Sequence, residues 1–366
     1  MRNFKNLFAI VISALSFPLN AQTPVIFDTD MAIDDWAALL YTQMHPDLQL
    51  LAITVSASGE THCDAGVQNA LNLVYLATPN TEIDVACGDP WPLDGYLVFP
   101  EAWQLDADTL SGIEIPASPA TPWPGHAVEL LHRTLMSASS PVILLVTGPM
   151  TNIAQWLEQY PEDKALVEKL VVMGGSYHAG GNIIVEGFSD GNPNLLAEWN
   201  FYIDPIAADQ VLKSELPIEL VSLDVTNHVK VSFEFAAEFK QKANNPAAFF
   251  WDKVLDNNDW FIESGEYYFW DVLAAITITD QERFCKGPKK SLSVAYRSTT
   301  TPWLPGSDLS MPSMLANGNE RQHIDAATAG IVLDSEGQSE GGTNVLLCQE
   351  TDAEGAFASY IEILTQ

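Results

Sequence analysis

The chain has 366 residues, 47% of them hydrophobic, with 48 acidic against 16 basic side chains and a formal net charge of −32. The apolar share and ten tryptophans exclude a disordered chain. The negative balance excludes a binder of nucleic acid or of anionic membranes, and the length suffices for one large α/β domain.

In chain order, Arg2 and Lys5 precede an apolar run over residues 7–17, followed by Pro18, Leu19, Asn20 and Ala21. This is the layout of a secretory signal peptide over residues 1–21, cut after Ala21, and it predicts a secreted or periplasmic protein. The run is too short to span a bilayer. Strands are expected at 25–27, 48–55, 83–86, 142–146 and 170–173, and helices at 32–41, 64–77, 126–136 and 151–158. Strands alternating with helices predict an α/β fold: a mostly parallel central sheet with helices on both faces, as a single domain over residues 22–366. In such a fold the active site lies at the carboxyl ends of the strands. Residues 88–124 and 176–195 are rich in Gly, Pro, Asp and Asn without periodicity, and read as long loops suited to lids. Residues 334–343 read as a polar linker between two short strands. The four cysteines, Cys63, Cys87, Cys285 and Cys348, allow three pairings, with Cys285–Cys348 expected first and buried free thiols as the alternative.

The segment from Val25 to Asp35 places Asp28, Asp30, Asp34 and Asp35 at the end of a buried strand and the start of a helix. Asp28 and Asp30 alternate along the strand and point the same way. Four like charges this close repel unless a cation joins them, and hard carboxylate oxygens select calcium or magnesium over zinc. An EF-hand starting at Asp28 fails, because Ile33 stands where Gly is needed and Leu39 where Glu is needed. A dehalogenase-type phosphatase would continue Asp-x-Asp with Gly-Thr, not Met31-Ala32. Helix capping needs one or two acids, not four.

Asp-x-Asp-x-x-x-Asp-Asp after an apolar strand resembles the signature of the nucleoside hydrolases. Further blocks follow in family order: Gly148-Pro149-Met150-Thr151-Asn152, Met173-Gly174-Gly175, Gly181-Asn182, Glu198-Trp199-Asn200, Asp204-Pro205, Leu223-Asp224-Val225-Thr226 and Trp270-Asp271. The resemblance is to the inosine/uridine-preferring family and a divergent bacterial secreted branch of it. It implies calcium-dependent hydrolysis of the N-glycosidic bond of ribonucleosides, for purine or pyrimidine salvage. Carried over by position, Asp30, Asp35, the Thr147 carbonyl and Asp271 would hold Ca2+, and Asp30 would take the proton from the attacking water. Asp34, Met173, Asn182, Glu198, Asn200 and Trp270 would bind the substrate, with Asp28 supporting the cluster from behind. The implied partner is a small-molecule nucleoside, with no nucleic acid and no membrane, and a homo-oligomer is left open.

Two departures stand out. Several members carry a His before the late Asp, where this chain has Trp270, so help for the leaving base must come from elsewhere. His62, His178, Tyr267 and Tyr268 are candidates. The loop after the second strand reads Ser56-Ala57-Ser58-Gly59-Glu60-Thr61-His62-Cys63, where some relatives carry Gly-Asn. Trp91, Tyr96, Phe99, Trp103 and Trp260 add stacking candidates. The alternatives are hydrolysis of another ribosyl or glycosyl compound, and a weakly catalytic calcium-dependent nucleoside- or sugar-binding protein.

Overall fold

The computed structural model describes residues 22–94, 98–296, 324–335 and 345–366. The expected signal peptide, Tyr96 and most of the 334–343 linker lie outside these residues. The described residues form ten strands: β1 (Thr23–Thr29), β2 (Leu48–Val55), β3 (Asp84–Cys87), β4 (Val142–Val146), β5 (Val167–Met173), β6 (Ile218–Val221), β7 (Lys289–Lys290), β8 (Leu292–Val294), β9 (Val332–Asp334) and β10 (Val345–Leu347). Eight of them build one sheet in the order β3-β2-β1-β4-β5-β6-β10-β7, and β8 pairs with β9 separately. Every pairing in the large sheet is parallel except β10 with β7.

Side chains alternate along the central strands and feed two cores. Val25, Phe27, Ile143, Leu145 and Val171 face one. Ile26, Leu144 and Val172 face the other. Strands apolar on both faces are what a parallel sheet needs, because helices cover both sides. The helices Ile33–Met44, Cys63–Ala77, Trp270–Thr277 and Ala353–Leu364 cover the first face. The helices Ala127–Ser137, Thr151–Gln159 and Pro205–Leu212 cover the second. Trp36 and Leu39 are wholly buried in the first core, a gain of about 1.5–3 kcal/mol for a fully buried large aliphatic side chain.

The 88–124 stretch is not all loop, because it contains a helix at Glu101–Asp108. Only Ala107 of that helix is buried, so no apolar period marked it in the sequence. Across the sheet the chain runs from β1 outward to β2 and β3 on one side, and from β4 to β5 and β6 on the other. The β1–β4 seam is therefore the topological switch point, where a crevice opens beyond the carboxyl ends of the strands. At that seam the Thr147 N–H donates to the Asp28 carbonyl at 2.9 Å.

Candidate active site

The turn leaving β1 sets the site. Met31 has φ +58°, a left-handed backbone that costs a non-glycine residue roughly 1–2 kcal/mol. Its N–H donates to Thr29 Oγ1 at 2.9 Å, and its carbonyl accepts from Trp36 Nε1 at 2.7 Å. This sharp reversal leaves Asp30 at the strand end and starts the next helix at Ile33, bringing Asp34 and Asp35 back over β1. Two glycines then close on Asp30: a Cβ at Gly59 would overlap its side chain, and a Cβ at Gly148 would come within 2.8 Å of it. The Glu60 N–H donates to Asp30 Oδ2 at 3.0 Å, and Thr61 Oγ1 to the Asp30 carbonyl at 2.8 Å. Asp30 is thus clamped between the loops that follow β2 and β4.

Asp35 is fully buried. Its Oδ1 accepts from Thr29 Oγ1 and Thr147 Oγ1, each at 2.5 Å, and its Oδ2 from the Ala32 N–H at 2.9 Å. Thr147, expected to act only through its carbonyl, therefore also braces Asp35 with its hydroxyl. Asp28 accepts from Thr54 Oγ1 at 2.5 Å and Asn152 Nδ2 at 2.8 Å. Asp34, Asp35 and Asp271 bring one carboxylate oxygen each within 4.8 Å of one another. Asp30 lies within hydrogen-bonding reach of Asp35, and Asp34 of Asp271.

No ion pair among the described residues involves any of these carboxylates. Burial first, and the neighbouring carboxylates second, push Asp30 and Asp271 well above the ordinary range. Glu60 is raised in the same way, facing Asp34 and Asp35. Asp271 Oδ1 and Asp28 Oδ2 are buried without a hydrogen-bond partner. Buried hard oxygens without a partner, beside carboxylates that no basic side chain among the described residues pairs with, fit calcium or magnesium.

Asp28 and Glu198 are each pushed up to about 7 by burial, against hydrogen bonds that lower them. The unfolded chain releases these protons near pH 4. Between about pH 4 and 7 the folded protein therefore holds protons that the unfolded chain has lost, and this stabilisation is complete at low pH and lost as pH rises through 7. With chelator present, we expect a higher Tm near pH 5.5 than near pH 8. A higher Tm at the alkaline end in thermal scans would contradict this.

Of the remaining expected residues, Asn200 borders the cluster at the Thr147 carbonyl, and Glu198 lies close enough for its charge to act on Asp34. Asn200 Nδ2 donates to the Thr147 carbonyl at 2.8 Å and reaches the Met173 carbonyl at 3.3 Å. Glu198 caps the short Trp199–Ile203 helix, accepting from the N–H groups of Asn200 (2.9 Å), Phe201 (3.2 Å) and Gly175 (2.7 Å). Asn182 Oδ1 accepts from the Trp199 N–H at 3.2 Å. Trp270 opens the helix that carries Asp271, packed among Phe261, Tyr267 and Tyr268. Asp204 and Asp224 serve the backbone: Asp204 caps the Pro205–Leu212 helix, and Asp224 binds the N–H groups of Tyr177 and His178.

Of the leaving-group candidates, His62 pairs with Asp108 at 2.7 Å on the surface, and His178 is exposed beside Tyr177. Tyr268 lies under Lys230. Only Tyr267 is buried with Asp34 and Asp271 acting on its hydroxyl. The sequence assigns no role around Asp30 and Asp35 to Thr29, Gly59, Gly148 or Thr61. Their parts exist only once β1, β2 and β4 lie side by side.

Comparison with known proteins places this geometry. Residues 25–358 match the model of the inosine-uridine preferring nucleoside hydrolase family. A pyrimidine-specific ribonucleoside hydrolase of Photobacterium profundum is 37% identical over 234 residues, covering 64% of this chain and 70% of that protein. One from a Shewanella species is 36% identical over 222 residues, covering 60% of this chain and 65% of that protein. The solved inosine-uridine preferring nucleoside hydrolase of Bacillus anthracis shares the fold with a TM-score of 0.72 at 19% identity, over 94% of this chain and 99% of that one. With the parallel sheet and the carboxylates at its switch point, the chain belongs to the inosine-uridine preferring nucleoside hydrolase family, enzymes that hydrolyse the N-glycosidic bonds of nucleosides.

Proposed function

We propose that this chain is a calcium-dependent ribonucleoside hydrolase that releases ribose and free base, acting outside the cytoplasm. The observation that carries the reading is the gathering of Asp34, Asp35 and Asp271 within 4.8 Å beside the clamped Asp30, with no cationic partner among the described residues. Asp30, Asp35, Asp271 and the Thr147 carbonyl would hold the ion, whose oxygen preference matches this donor set. Bound there, calcium supplies Lewis acidity that makes a neighbouring water easier to deprotonate.

The chain's own residues do the rest. The Asp30 carboxylate, fixed by the Glu60 N–H and two glycines, accepts the proton of the attacking water. Asp34 and Asn200 take ribose hydroxyls, with Met173 beneath the sugar. Asn182 and Glu198 complete that wall, Glu198 through lone pairs its capping bonds leave open. As the glycosidic bond breaks, positive charge grows on the ribose ring, and the surrounding carboxylates stabilise it more than they stabilise the neutral substrate. A cavity of about 600 Å³ opens beside the loop after β2, walled by Trp91, Phe99, Trp199 and Tyr202 with Gln104 and Asn192 at its edge. Flat aromatic walls with a few amides suit a nucleobase. The pyrimidine-specific relatives make uridine and cytidine the first substrates to try.

The test is free-ribose release from uridine, cytidine, inosine and adenosine, with calcium and with chelator. Release that stops on chelation is expected. A calcium-loaded protein inactive on all four nucleosides would turn the reading to a different ribosyl compound.

A further inference from the structure

Asp30 is held largely by one loop. Residues 56–62 supply the Glu60 N–H to its carboxylate, and the Thr61 N–H and hydroxyl to its carbonyl. That loop runs straight into the Cys63–Ala77 helix, and Gly66 lets the first helical turn press on Thr61, since a Cβ there would strike the Thr61 hydroxyl. Two anchors fix the loop's far end. One is Asp108, whose carboxylate takes the His62 N–H at 2.9 Å and the His62 ring at 2.7 Å; the His62 side chain is 58% exposed, so the ring pair itself constrains little. The other is covalent: Cys63 is bridged to Cys87.

Cys87 is the last residue of β3, a four-residue strand at the sheet's edge, paired only with β2. Beyond it the Gly88 N–H donates to the Val55 carbonyl at 2.9 Å, and Gly88 packs on Asn152, the residue that donates to Asp28. The bridge therefore ties the segment that holds Asp30 to the segment that backs Asp28. The second bridge, Cys285–Cys348, joins the end of the Gln281–Phe284 helix to the residue after β10. It touches none of these loops.

We propose that the Cys63–Cys87 disulfide is a positioning brace for Asp30, acting through the 56–62 loop, whereas Cys285–Cys348 serves stability alone. The inference rests on the reading of Asp30 as the group that takes the water's proton. Displacing a positioned group by about 1 Å costs on the order of 100-fold in rate.

The experiment compares Cys63→Ser/Cys87→Ser with Cys285→Ser/Cys348→Ser, assayed on uridine in saturating calcium chloride at a temperature where circular dichroism reports both fully folded. The first variant is expected to lose kcat about 10-fold to 100-fold, with KM within about threefold of wild type. The second is expected to keep the wild-type kcat. An unchanged kcat in the folded Cys63→Ser/Cys87→Ser protein overturns the brace. Equal losses in both variants overturn it as well, since they report general loosening. Asp30→Asn separates the two readings. If it is fully active, the assignment of Asp30 fails. If it is inactive while Cys63→Ser/Cys87→Ser is unaffected, only the brace fails.

Discussion

Asp35→Ala is expected to lose calcium binding and to drop uridine hydrolysis by at least about 10³-fold, the scale of removing acid–base and electrostatic stabilisation together. Asp35 is the hub of the cluster. It is wholly buried, it accepts from Thr29, Thr147 and Ala32, and it shares the crowded corner with Asp34 and Asp271. The truncation has opposite effects on the metal-free fold. It relieves repulsion among the remaining carboxylates. It also strands the Thr29 hydroxyl and the Ala32 N–H, and leaves the Thr147 hydroxyl only the Asp28 carbonyl at 3.4 Å, at about 1–3 kcal/mol for each group left buried without a partner. The decisive readout is therefore the response to calcium. Wild type should gain about 2.7 kcal/mol of stability at calcium 100-fold above its dissociation constant, and the variant should gain none. A variant that is stabilised and fully active would remove Asp35 from the site.

Asp30→Asn has the second-largest expected effect. The amide keeps the shape between Gly59 and Gly148 but cannot take a proton, so kcat should fall by about 10²–10⁴-fold, the usual contribution of a general base. KM should change far less, because ribose contacts lie with other residues. The wild-type pH–rate profile should also lose its acid limb in the variant. A loss confined to KM would make Asp30 a binding group only.

How far such residues could be read in advance depends on whether their role is local. Asp28, Asp30, Asp34 and Asp35 were legible because four acids within eight residues conflict with burial unless something joins them. The central strands were legible because β4, Val142–Val146, is apolar at every position, which a sheet covered on both faces demands. The parts played by Thr29 on Asp35 and Gly148 on Asp30 were not legible, since a hydroxyl and a glycine are ordinary until β1 and β4 are neighbours. Thr147 was read only for its carbonyl, because its hydroxyl's partner, Asp35, lies 112 residues away. Glu198 was read as a ribose ligand, while its bonds to the N–H groups of Asn200 and Phe201 follow a local capping pattern that its spacing already carried. The helix at Glu101–Asp108 escaped notice because it buries almost nothing.

The sheet order has one more consequence, for the timing of assembly. The strand that sits between β6 and β7 is β10, made of Val345–Leu347, more than a hundred residues after β6. Until those three residues dock, β6 carries an open edge of unpaired N–H and C=O groups, and β7 has no partner in the large sheet. An open strand edge is a template for pairing with other chains. The Ala353–Leu364 helix, which packs on the helices carrying Asp34, Asp35 and Asp271, also follows β10, so the same late residues close the sheet edge and back the acidic crevice.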